Sequence, residues 1–132
     1  LKSRYKYNLK WCRIFYMFGY GQHDKSLWSQ LVKDVQNKKK YFRMSGGEQL
    51  RDYLHVKEVA NYIVNISMIQ KDIGVVNICS GNPISVKEIV KNWIYVNKWN
   101  IEPKLFEFDY PTYEPMNFWG DKKKLKKILR IN

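Results

Sequence analysis

Cysteine is almost missing: Cys12 and Cys79 are the only two in 132 residues. That excludes a disulfide framework, and their separation is not that of metal ligands. Both fall in predicted strands and read as buried free thiols of a reducing, cytoplasmic compartment. Histidine is as scarce, and His23 and His55 stand apart with no carboxylate or cysteine at ligand spacing, so no metal site is expected. No apolar run approaches the length of a membrane span, and the opening Leu1-Lys2-Ser3-Arg4-Tyr5-Lys6 carries no apolar signal core. The seven glycines include no G-x-G-x-x-G after a strand. Gly19-Tyr20-Gly21 lacks the third glycine and runs into a loop, so it is not a nucleotide fingerprint.

Acidic side chains are outnumbered, 12 against 24 basic, for a net charge of +12. Such a balance can signal phosphate contacts with nucleic acid. Here the lysines are scattered apart from Lys38-Lys39-Lys40 and Lys122-Lys123-Lys124 with Lys126-Lys127, both at helix ends or on helix surfaces. No zinc-finger, RNP or helix-turn-helix pattern accompanies them, and nucleic acid is not the expected partner.

What is present is a chain able to bury a core. It is 45% hydrophobic and 16% aromatic, one domain or part of one. Trp11 to Phe15, ending at Gly19 and Gly21, suits a buried parallel strand whose sheet neighbours would lie upstream. Asp24 is placed to cap a helix with Leu27, Trp28, Leu31, Val32 and Val35 at helical spacing. Lys40 to Met44 reads as a strand, Gly46-Gly47 as a hairpin turn, and Leu50 to Leu54 as the antiparallel return. A helix is expected over Val56 to Ile69 and a strand over Val75 to Cys79. Ser85 and Glu88 form a capping box for a helix carrying Val86, Ile89, Val90, Trp93 and Ile94. Lys104 to Phe108 alternates as a half-buried strand does, and Asp121 is placed to cap a lysine-rich closing helix with Leu125, Ile128 and Leu129. Strands alternating with helices indicate the α/β class.

The densest signal is Gly46-Gly47-Glu48-Gln49-Leu50-Arg51-Asp52-Tyr53-Leu54-His55-Val56. An arginine on a rigid element offers a planar fork of donors matched to phosphate oxygens. On the residues alone Arg51 either grips a phosphate, is solvated on a surface hairpin, or is paired with Asp52 or Glu48.

Gln49 to Val56 resembles the "Q-x-R-D-Y-x-H-V" segment of the extended short-chain dehydrogenases/reductases, the NAD-dependent nucleotide-sugar epimerases and dehydratases. Three more segments agree in order. Arg13 to Gln22 resembles "R-x-F-N-x-Y-G-x-G-Q". Asn77 to Gly81, with Ser85 and Glu88, resembles "N-x-G-S-G…S-x-x-E". Asp121, Lys124 and Leu129 resemble "D-x-x-K-x-x-x-x-L".

The resemblance implies the C-terminal part of such an enzyme: the last elements of a Rossmann sheet plus a small α/β substrate-binding lobe. Residues 1–22 would be the tail of the dinucleotide-binding domain. Residues 23–132 would be mainly the lobe, with some elements packing back on that domain. Arg51 would hold the diphosphate of a nucleotide-sugar, with Tyr16 and Met44 along the pocket wall. Tyr16 stands where the family commonly has asparagine, and Met44 where it often has an aromatic beside the base, although core packing also suits Met44. Many relatives add a second arginine before the closing segment; Pro111-Thr112-Tyr113-Glu114 has none.

The cofactor would be NAD or NADP in the complete enzyme, with little or none bound by this chain. The catalytic Tyr-x-x-x-Lys pair has no counterpart on a predicted helix, where Tyr95 is followed at that distance by Trp99. The chain is therefore expected to be a fragment or truncated relative lacking an N-terminal Rossmann portion and inactive alone. A homodimer is a family expectation for the complete enzyme. A basic nucleic-acid- or polyanion-binding module and a decayed, non-functional relative are the alternatives.

Overall fold

The computed structural model describes residues 7–131. In chain order the elements are β1 (Lys10–Ile14), β2 (Tyr16–Phe18), α1 (Leu27–Gln36), β3 (Tyr41–Arg43), β4 (Leu50–Arg51), β5 (Tyr53–His55), α2 (Val56–Ser67), β6 (Gly74–Ile78), β7 (Ile84–Ser85), α3 (Val86–Asn97), β8 (Glu102–Lys104), β9 (Asn117–Phe118) and α4 (Lys123–Leu129). They form two compact units. The first takes the residues up to Met17, Asp52–Asn82 and those from Trp119 on; the second takes Phe18–Arg51 and Pro83–Phe118. No helix among the described residues is long and apolar enough to cross a membrane.

The first unit is built on a parallel pair, β1 with β6, in the register Cys12 to Val76 and Ile14 to Ile78. The helices α2 and α4 pack against it. Val76, Ile78, Ile66 and Leu125 form the centre of its core, each no more than 1% exposed. Lys124 fastens α4 to this sheet, donating from Nζ to the carbonyls of Ile73 at 2.7 Å and Val75 at 2.6 Å. Trp11 and Ile14 are 61% and 45% exposed. The fully buried strand expected there is thus covered on one side only, since β6 is its sole sheet neighbour among the described residues. Cys79 is fully buried just beyond β6, and burial with the Asp52 charge pushes its thiol up to about 11. Cys12 is half-buried.

The second unit centres on aromatic packing. Trp28 of α1 meets Trp93 of α3 edge-on at 5.1 Å, and Phe18 lies 5.0 Å from Trp93. Such geometries add to the large areas these rings bury. Two small sheets flank this core: β3 parallel to β8, and a three-stranded sheet ordered β7-β4-β9.

Several expectations are corrected here. The strand pattern after Gly46-Gly47 does not return on β3. Instead β4 lies antiparallel to β7 and parallel to β9. The glycines serve close approach: a Cβ on Gly46 would come within 2.7 Å of the Phe106 ring, and one on Gly47 within 2.8 Å of Lys87 Cβ. The cap of α1 is Ser26, whose hydroxyl accepts from the Ser29 N–H at 3.2 Å, because the helix starts beyond the reach of Asp24. The strand expected over Lys104 to Phe108 lies earlier, at β8. Phe106 has φ 61 and turns the chain out of extended geometry. On α2, Val59 and Ile66 are the buried residues, while Val64 is 57% exposed. The Ser85–Glu88 capping box is complete. Before α4, Asp121 accepts the Lys123 N–H at 2.7 Å, although the cap position itself is Lys122.

Candidate functional site

Arg51 sits on the central strand of the three-stranded sheet, between Ile84 and Phe118 in register. Arg51 and Asp52, neighbours in the chain, fall in different units.

Arg51 stays within the second unit and is 2% exposed. Its Nη1 donates to the Leu50 carbonyl at 3.0 Å and the Met116 carbonyl at 3.2 Å. Its Nη2 donates to Glu114 Oε2 at 3.1 Å. The Met116 carbonyl is itself fixed, because it also accepts the Leu50 N–H at 2.8 Å. A guanidinium cannot shed its charge, so a buried one must be held by acceptors. Its acceptors include the Leu50 carbonyl on the central strand, the Met116 carbonyl beside β9, and one carboxylate from the loop between β8 and β9.

The carboxylate seen on Arg51 is that of Glu114. The carboxylate of Glu48 accepts the Tyr110 hydroxyl at 3.0 Å. Burial, with that carboxylate alongside, pushes the Tyr110 phenol above its usual value. Asp52 belongs to the first unit and is fully buried. Its Oδ1 accepts the Ser80 N–H at 2.6 Å, and its Oδ2 accepts those of Gly81 at 2.9 Å and Gly120 at 3.3 Å. It therefore ties the loop after β6 to the segment before α4. Above it, Ser80, Trp119, Lys122 and Lys126 line a cleft of about 630 Å³.

The other expected site residues fall in different settings. Met44 is in the second unit with Arg51, 5% exposed, its Cε methyl pressed where a Gly47 Cβ would be, at 2.9 Å. Tyr16 is in the first unit, 39% exposed, with its ring 5.5 Å from that of Tyr53. Nearer the surface, Lys104 and Arg43 both grip Glu107, at 2.9 and 2.7 Å, and hold its carboxyl below the usual range. His55 caps α2, its Nδ1 accepting the Lys57 N–H at 3.2 Å. Tyr53 and Lys57 are four residues apart, but one lies on β5 and the other on α2, so they do not share a helix face.

Two residues central to this geometry, Glu114 and Asp52, escaped sequence reasoning. Asp52 was read only as a possible partner for Arg51, because the backbone N–H groups it holds, at Ser80, Gly81 and Gly120, lie far along the chain. Glu114 had a fainter signal: an acid in a proline-punctuated loop of a lysine-rich chain.

A model of the NAD dependent epimerase/dehydratase family matches residues 1–79. The dTDP-6-deoxy-L-talose 4-dehydrogenase (NAD(+)) of Aggregatibacter actinomycetemcomitans is 31% identical over 115 residues, which are 87% of this chain and 42% of that protein. The UDP-N-acetylglucosamine 4-epimerase from Methanobrevibacter ruminantium M1, solved with UDP-N-acetylmuramic acid, is similar with a TM-score of 0.80 at 23% identity. That likeness covers 96% of this chain and 41% of that one. The UDP-glucuronic acid 4-epimerase from Bacillus cereus, solved with UDP-glucuronic acid and NAD, gives 0.74 at 22% identity over 92% of this chain and 38% of that one. The fold is thus the expected α/β arrangement of these enzymes, and the chain spans 42% of the length of its curated relative.

Proposed function

Because the chain belongs to the NAD dependent epimerase/dehydratase family, we propose that it is the part of such an enzyme that recognises a nucleotide-sugar, and that Arg51 holds the diphosphate. The single observation behind this is a guanidinium 2% exposed on a central strand, its Nη1 fixed by two backbone carbonyls. Preorientation of that kind is what charge-assisted phosphate binding needs. Met44, which shares the second unit with Arg51 and offers only an edge at 5% exposure, is the candidate for the pocket wall. In the same reading the first unit carries the end of the dinucleotide-binding sheet, and the second is the substrate lobe.

The residues present do not fit a dinucleotide by themselves. A pyrophosphate is bound where a glycine turn opens directly into a helix N-terminus. Gly19 and Gly21 precede α1 by several residues, and that helix begins under its own Ser26 cap. Reaction chemistry is therefore assigned to the remainder of a longer enzyme, and no step is placed on this chain.

Calorimetric titration with UDP, dTDP and GDP tests the reading, with uridine, thymidine and guanosine as uncharged controls. Arg51→Met should weaken the best-bound diphosphate by about thirty- to a hundredfold, equivalent to about 2–3 kcal/mol. The nucleosides should bind the two proteins alike. Equal diphosphate affinity in the variant would remove Arg51 from the site.

A further inference from the structure

We propose that Glu114 is an internal stand-in for the ligand's phosphate: it holds the Arg51 fork while the site is empty and is exchanged for the diphosphate on binding. This rests on the reading of Arg51 just given. Among the acceptors on the guanidinium are two backbone carbonyls. One of these, Met116, is engaged in the sheet ladder through the Leu50 N–H at 2.8 Å. That carbonyl cannot leave without opening the sheet. Glu114 is instead a side chain on an irregular loop, between Pro111 and Pro115, and it can swing away.

Exposure points the same way. The Arg51 side chain is 3% exposed while its partner Glu114 is 40% exposed. The carboxylate therefore covers the solvent side of the fork, and an anion arriving from water meets Glu114 before it meets Arg51. A bare buried guanidinium would be costly, so an internal anion keeps the cation in place until a better one arrives. A carboxylate brings one negative charge; a nucleoside diphosphate brings about two to three and can take the fork bidentately. Glu114 thus acts as a specificity-determining residue through Arg51. It sets a threshold that a diphosphate crosses and an uncharged nucleoside does not.

The test is a double-mutant cycle on the full chain: wild type, Glu114→Gln, Arg51→Met and the double variant. Each is titrated with UDP, dTDP and GDP and with the corresponding nucleosides. Glu114→Gln should tighten the best-bound diphosphate by about tenfold, because the competitor has lost its charge. Nucleoside affinity should not move, and the gain should vanish in the Arg51→Met background. Glu114→Ala should repeat the gain, which a loss of structure would not produce. If Glu114→Gln and Glu114→Ala bind diphosphate no better than wild type while Arg51→Met loses it, the stand-in role fails and the Arg51 reading stands. If Arg51→Met binds as wild type, or no diphosphate binds any of the four proteins, both fall together.

Discussion

Removing the Asp52 carboxylate should unlock the first unit. The group is fully buried and accepts three backbone N–H donors, from Ser80 at 2.6 Å, Gly81 at 2.9 Å and Gly120 at 3.3 Å. Hydrogen bonds to a charged group contribute about 1.5–3 kcal/mol each, and the longest of the three counts for least. Asp52→Ala deletes all of them and strands three donors, Gly120 buried and Ser80 and Gly81 half-buried, for a loss of about 3–5 kcal/mol. Asp52→Asn keeps the shape but turns an NH₂ group toward one set of donors, for about 2–4 kcal/mol. Native stability of a chain this size is about 7–20 kcal/mol, so either change is a large fraction of it. The assay is amide hydrogen exchange read at Ser80, Gly81 and Gly120, with urea denaturation in parallel. Those amides should lose protection first and by the largest factor. A loss under about 1 kcal/mol, or unchanged protection at those positions, would refute the reasoning.

Two further substitutions probe the sites that carry the rest of the geometry. Gly47→Ala forces a side chain onto φ 68 and brings its Cβ to 2.8 Å from Lys87 Cβ and 2.9 Å from the Lys87 nitrogen. It should cost about 2–4 kcal/mol in urea melts, and a neutral result would contradict the close approach. Ser85 holds the Glu88 carboxyl below its ordinary 4.5 by hydrogen bonds from its hydroxyl and backbone N–H. A depressed folded value means that stabilisation is present above 4.5 and lost as pH falls through the folded value. The gap in melting temperature between wild type and Glu88→Gln should therefore be widest above pH 4.5 and close at lower pH. A gap of constant size down to pH 3 would contradict it.

How much was legible follows from how local each signal is. The capping box, the helices after Val56 and Val86, and the strand ending at Ile78 depend on neighbours within a turn or a few residues, and the sequence displays those directly. Strand partners are not local. Tyr41 pairs with Glu102 and Leu50 with Asn117, and nothing at either position names the other. A glycine pair between two strand-like runs therefore read as a hairpin. Its actual use, admitting Phe106, Tyr110 and Lys87 against the backbone, depends on residues some forty to sixty positions away. The site divides the same way. Arg51 stood out through its own flanking pattern, while its partner Glu114 comes from a loop whose route no periodicity describes.

The most direct single measurement is the affinity of the full chain for UDP, dTDP and GDP, wild type against Arg51→Met, at one fixed salt concentration. Phosphate recognition by the buried fork predicts tight binding of at least one diphosphate and a thirty- to hundredfold loss in the variant, about 2–3 kcal/mol. Identical isotherms for the two proteins would contradict it.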